Sequence, residues 1–244
     1  MAANDQLGSF VQRYRSSSRS TWPDVLRPLA GAAMFLFLAT APLKNLAQDM
    51  AYAIAFFAVA AVFICLAWLP ILNYLRIRNT QIFLYQQGFV YLDKTCTAEP
   101  YGWRNIETVK RSVTTYIPGG TIRTYTVQRK DGSQLVLTEA IRHISHLGDA
   151  IVQAVTNAQL PITTTTLNEG RRLRFGNLSI DLHEITNGQK RLRWDQVDGI
   201  VVHNGYVTVY RKDRPGVWMR QRVGAIPNFP VFIAHAKSLA AQGK

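Results

Sequence analysis

Trp103-Arg-Asn-Ile106-Glu-Thr-Val109 and Trp194-Asp-Gln-Val197-Asp-Gly-Ile200 are two readings of one pattern, and the segments downstream of them are also alike. After the first stands Tyr125-Thr-Val127-Gln-Arg129-Lys130-Asp131, and after the second Val207-Thr-Val209-Tyr-Arg211-Lys212-Asp213. A repeated order of this kind means two related units. Around both runs the hydrophobic period is two, with short β-rich segments separated by turn residues, which predicts successive antiparallel hairpins. In the first unit, 82–85 and 89–92 flank Gln86-Gln87-Gly88, and 108–117 and 121–129 flank Pro118-Gly119-Gly120. After Glu139 the period changes. Ile141, Ile144, Leu147, Ile151 and Val155 recur at spacings of three and four, the stripe of an amphipathic helix. In the second unit Ile226, Phe229, Phe232, Ile233, Ala236 and Leu239 draw a similar stripe. Between the units, Gln159 to Asn168 contains Pro161 and four successive threonines, which predicts a broken helix and a linker open to proteases.

Working outward toward the N-terminus, Met50 to Leu72 (MAYAIAFFAVAAVFICLAWLPIL) carries no charged side chain. Roughly 20 apolar helical residues cross a hydrocarbon core of about 30 Å, so this run predicts a transmembrane helix. Pro28 to Leu43 is a shorter apolar run behind Asp24 and Arg27, and it predicts a second span. A cleaved signal peptide is its alternative, because Arg13, Arg15 and Arg19 precede it and Ala39-Thr40-Ala41 has cleavage-site character. Arginines flank the pair on both sides, which predicts a hairpin in an inner or plasma membrane with both termini cytoplasmic. The expected organisation is a cytoplasmic N-terminal segment over 1–21, a two-helix hairpin over 22–76, a first domain over 80–160 and a second over 161–244. Cys65 falls in the predicted span and Cys96 beyond it, so no intrachain disulfide is expected.

Taken together, the strand Gly88-Phe89-Val90-Tyr91-Leu92, the starts at Trp103 and Trp194, the basic hairpins and the closing helices resemble the pleckstrin-homology-like (PH-like) fold. The version they resemble is that of bacterial membrane proteins in which transmembrane helices precede tandem PH-like domains. The resemblance covers residues 22 to 242 and implies an α+β architecture. An N-terminal transmembrane helical hairpin is followed by two antiparallel β-barrel or sandwich domains, each closed by a C-terminal helix. It further implies a membrane-anchored binding or scaffolding role, with no ligand identity and no catalytic residues. Gln86-Gln87-Gly88 departs from the Lys/Arg-rich first hairpin of the lipid-binding members.

No nucleophile elbow, phosphate loop, HExxH or metal-spaced cysteine pair is present, and no carboxylates are spaced as a general acid and base. The expectation is therefore a non-enzyme with no cofactor and no metal. His143 and His146 stand three apart and read as surface or capping residues. Trp103 and Trp194 read as core anchors rather than stacking platforms, because equal placement in two copies marks packing.

Residues 76–244 hold 23 Lys plus Arg against 12 Asp plus Glu, most of the net charge of +13. No nucleic-acid motif accompanies that charge, so none is expected as partner. Alternation in Arg172-Leu173-Arg174-Phe175 and Arg191-Leu192-Arg193-Trp194 places arginines on one face and apolar groups on the other. Arg172, Arg174, Arg191 and Arg193 are accordingly the candidate contacts for anionic lipid headgroups, with a plain solvated face as the alternative. The expected partners are the bilayer, those headgroups or another protein. A subunit of a membrane transport or channel assembly is the rival class.

Overall fold

A computed structural model of the chain describes residues 7–16, 22–39, 54–65, 68, 80–93, 95, 97–116, 120–213 and 216–243. Its first element is a strand, β1 (Phe10–Arg15), followed by two helices, α1 (Trp22–Ala39) and α2 (54–65). The chain then returns to pair with β1. β2 (Gln81–Tyr85), β3 (Gly88–Leu92) and β4 (Ala98–Gly102) complete a four-stranded antiparallel sheet in the order β1-β2-β3-β4. A turn of 3-10 helix at Trp103–Asn105 leads into a three-stranded sheet of β5 (Ile106–Tyr116), β6 (Gly120–Arg129) and β7 (Gln134–Leu137). α3 (Ile144–Asn168) comes next.

The second unit repeats this order without the helix pair. β8 (Leu173–Phe175), β9 (Leu178–Ile180), β10 (Glu184–Asn187) and β11 (Lys190–Arg193) form its four-stranded sheet. A 3-10 turn at Trp194–Gln196 precedes β12 (Val197–His203), β13 (Tyr206–Arg211) and β14 (Val217–Arg222), and α4 (Phe229–Gln242) closes it. The correspondence extends to single hydrogen bonds. The Trp103 indole N–H donates to the Gln86 carbonyl at 2.9 Å, and that of Trp194 to the Asp181 carbonyl at 2.8 Å. Both acceptors lie between the second and third strands of their sheet. Both tryptophans are buried, at 7% and 3% exposure, as core anchors should be. Each unit has its own apolar core, one around Phe89, Tyr125 and Leu147 and the other around Leu178, Val209 and Phe232.

Periodicity alone places the start of the first unit near residue 80, yet its sheet takes in Phe10–Arg15 and buries Tyr14. The helix pair thus stands between the first and second strands. The equivalent place in the second unit is a two-residue turn, Gly176-Asn177.

The expected transmembrane hairpin is overturned. Among the described residues no helix is long and apolar enough to cross a membrane. α1 spends its first turns on Trp-Pro-Asp-Val-Leu-Arg, so its described apolar part, 28–39, is about 18 Å long at 1.5 Å per residue, against a hydrocarbon core of about 30 Å. The ends of the Met50–Leu72 run and of the Pro28–Leu43 run lie outside the described residues. With the spans go the fold class that begins with a transmembrane hairpin and the assignment to an inner or plasma membrane with cytoplasmic termini. Part of the apolar sequence packs between the helices, while Met34, Phe37, Ile54, Phe57 and Val62 stay exposed. Phe35 stacks on Phe63 with centroids 5.6 Å apart, Ala32 and Ala60 are buried, and Gly31 lies under the Phe63 ring.

The predicted break at Pro161 is also absent. α3 runs through it to Asn168 because both halves have something to cover: Leu147, Ile151 and Val155 enter the first core, and Leu160 and Leu167 pack against the second. Thr163, Thr164, Thr165 and Thr166 turn their hydroxyls back onto the carbonyls of Gln159, Leu160, Pro161 and Ile162, so the run is accommodated inside the helix. The units meet along the edge of β5. The Asn228 backbone N–H donates to the Val109 carbonyl at 3.0 Å, its Oδ1 accepts from the Val109 N–H at 2.7 Å, and its Nδ2 donates to the Glu107 carbonyl at 2.8 Å.

Candidate functional site

The outer face of the sheet β8-β11 is set by alternation. Leu173, Phe175, Leu178, Ile180, Ile185 and Leu192 point into the core, so Arg174, Ser179, Thr186 and Arg191 take the opposite side. Two short turns hold the register, Gly176-Asn177 and Gly188-Gln189. Each begins with a glycine at positive φ, +67° and +60°, as two-residue hairpins with glycine first require. The pairing that results is Arg174 opposite Ser179, Ser179 opposite Thr186, and Thr186 opposite Arg191. One row therefore crosses all four strands with an arginine at each end and two hydroxyls between.

Over this row lies an open pocket of about 430 Å³, lined by Arg172, Arg174, Ser179, Thr186 and Arg191 among others. Three of the four candidate arginines border it, and the fourth does not. Arg193 turns to Asp195 at 2.8 Å, a contact between exposed groups.

The three pocket arginines differ in how far their charge is already spent. Arg172 is held by Asp181 through Nε at 3.0 Å and Nη2 at 2.6 Å, and by Glu184 at 2.9 Å. The hydrogen bond to Asp181 raises the already high pKa of its guanidinium. Burial pushes the Asp181 carboxyl up, but hydrogen bonds from the His183 N–H, Arg172 and the Glu184 N–H outweigh it and hold the group below the ordinary carboxylate range. Arg191 reaches only to 3.8 Å from Glu184, with its side chain 68% exposed. Arg174 has no ion-pair partner among the described residues. Between the two looser arginines, Thr186 is 7% exposed, and its Oγ1 is the buried side-chain polar atom without a hydrogen-bond partner among the described residues. Leaving such a hydroxyl unpaired costs about 1–3 kcal/mol, so a hydrogen-bond acceptor beside it would be favourable.

The sequence pattern thus finds the arginines, while Ser179 and Thr186 escape it. A threonine and a serine on a strand are ordinary β residues, and only the register shows that they stand between arginines. The two glycine-led turns were the available signal.

A second cavity, of about 230 Å³, lies between the units, bordered by Arg104, Glu107, Lys130, Gln159, Arg174 and Asn228 among others. His143 and His146 face each other edge-on at 6.2 Å at the start of α3, and among the described residues no three His, Cys, Asp or Glu side chains gather as a metal site. Cys65 is exposed on α2 and Cys96 is outside the described residues.

Comparison with known proteins matches residues 1–242 to one family, described as a family of unknown function, DUF6585. No curated protein matches the chain.

Proposed function

The chain belongs to this family along residues 1–242, and we propose that it is a non-enzymatic binding or scaffolding protein whose second unit takes an anionic group on the outer face of β8-β11. The observation that carries the reading is the open pocket of about 430 Å³ bordered by Arg172, Arg174 and Arg191, in which Arg174 has no ion-pair partner among the described residues and Arg191 only a 3.8 Å contact with Glu184. The order of four strands, three strands and a closing helix in each unit supports the PH-like reading of both. The anion-bearing partner is an anionic headgroup or a soluble acid.

The test is sedimentation of the full chain with vesicles of increasing anionic fraction, alongside titration with soluble inorganic pyrophosphate, at low and at high salt. Binding of either probe should weaken as salt shortens the screening length, which is about 8 Å at 0.15 M. Arg174→Gln and Arg191→Gln should each reduce binding several-fold, whereas Arg193→Gln, which touches Asp195 away from the pocket, should leave it unchanged. Equal losses from all three, or none from any, would leave the arginines as a solvated face.

A further inference from the structure

The row across β8-β11 is more particular than a basic patch, and its chemistry points to one class of anion. Adjacent strands stand about 4.8 Å apart, so the backbones of Arg174 and Arg191 are about 14 Å apart across three strand steps. Two long side chains can close over that distance from opposite sides onto the middle of the row. The middle is Ser179 and Thr186.

Each guanidinium offers a planar fork of donors, and each hydroxyl offers one more. The donors thus come from two sides and from below, around a point where the Thr186 Oγ1 has no partner among the described residues. A carboxylate has two coplanar oxygens and one charge, which a single arginine fork satisfies. A tetrahedral phosphate monoester has three free oxygens and nearly two charges at neutral pH, matching two forks and the hydroxyls beneath. One feature opposes it. Glu184 lies 3.8 Å from Arg191 and also holds Arg172, so the three pocket arginines face two carboxylates, Asp181 and Glu184.

We infer that this row is a phosphomonoester site. Arg174 and Arg191 grip the phosphate oxygens from either end, Ser179 and Thr186 donate from the strands between them, and Arg172 is kept at the pocket edge by its two carboxylates. The inference rests on the anion-binding role proposed for this face and adds the class of anion and the hydroxyls that select it. The phosphate can belong to a soluble monoester or to a lipid headgroup, since the grip reads only its terminal oxygens.

The experiment is calorimetric titration of the full chain with glycerol 3-phosphate and, at equal charge, with succinate, followed by sedimentation with vesicles of phosphatidylcholine containing phosphatidic acid or phosphatidylglycerol. Glycerol 3-phosphate should bind at least tenfold more tightly than succinate. Phosphatidic acid, a monoester, should be preferred over phosphatidylglycerol, a diester, if the source is a headgroup; preference for the soluble compound alone identifies a soluble source. Thr186→Val keeps shape and β-branching but removes the donor, and it should cost roughly tenfold for the monoester with little effect on succinate. Thr186→Ser should restore the difference. Glu184→Gln removes the opposing charge and should tighten the monoester. Equal binding of succinate and glycerol 3-phosphate, lost in Arg174→Gln, would overturn the phosphate assignment while leaving the anion site. No binding of any anion would overturn both.

Discussion

A tryptophan at the end of each four-stranded sheet does the same two things in both units: it fills the core and it ties its indole N–H to the connection between the second and third strands. Trp103→Ala and Trp194→Ala should each cost about 3–5 kcal/mol in urea unfolding, the range for emptying a large buried aromatic site. Two other side chains make stability depend on pH. His235 is buried against Thr163, with 2.9 Å between its Nε2 and the threonine Oγ1, and burial lowers its pKa from 6.5. Its folded value lies below its unfolded one, so its contribution is complete above pH 6.5 and is lost as pH falls from there toward the folded value. Asp181 is likewise depressed from 3.8, so its contribution is complete above that value and disappears at more acid pH, as the folded carboxyl protonates. The urea midpoint should therefore decline in two steps on acidification, and His235→Gln should remove the first of them.

At the scale of elements, two contacts decide the first unit. β1 arrives from the far side of the helix pair and buries Tyr14 at 5% exposure among Ile82, Leu84 and their neighbours. Tyr14→Ala should cost about 3 kcal/mol, and a chain beginning at residue 80 should unfold at lower denaturant than the full chain because β2 is left as a bare edge. A peptide of residues 7–16 added in trans should recover part of the difference, read as a rise in the urea midpoint. The second contact is α3 on β6. A Cβ at Gly148 would lie 2.2 Å from the ring of Tyr125, which is itself fully buried, so the helix can rest there only on a glycine. Gly148→Ala raises helix propensity yet should destabilise by about 1–3 kcal/mol, since the overlap has no free volume into which to relax.

For the molecule as a whole, the joint between the units is a shared helix and an occupied edge. Gln159 reaches the carbonyls of Ile106 and Glu107 at 3.0 and 3.1 Å, and Asn228 adds a three-bond clasp on Glu107 and Val109. Asn228 sits at φ +48°, a conformation asparagine tolerates better than most residues. Asn228→Ala removes two of the three bonds and strains the backbone, and it should cost about 2–3 kcal/mol. Native-state hydrogen exchange should show it directly: the Val109 amide loses protection while that of Val127 keeps it. Protease should also leave 161–168 intact in the native chain, because those residues are helical and Leu167 is buried in the second core.

What the sequence determined by itself was the repeat. Trp103 and Trp194, the alternating strands and the helical stripes report local burial, and local burial is written in side-chain periodicity. The arginine face was legible for the same reason, since Arg172-Leu173-Arg174-Phe175 alternates on its own strand. Four things were decided only by tertiary structure. The partner of β1 lies beyond two helices, and strand pairing at that separation leaves no local trace. The fate of Pro161 depended on whether the next turns had a core to cover, and Leu160 and Leu167 do. The apolar run at 50–72 read as a membrane span because composition measures hydrophobicity without saying what it meets; among the described residues, part of it meets the other helix through Phe35 and Phe63. The grouping of Ser179 and Thr186 with Arg174 and Arg191 belongs with these. It arises from the register of four strands, which two turn glycines and the Asp181-held connection at 181–183 set and no single strand contains.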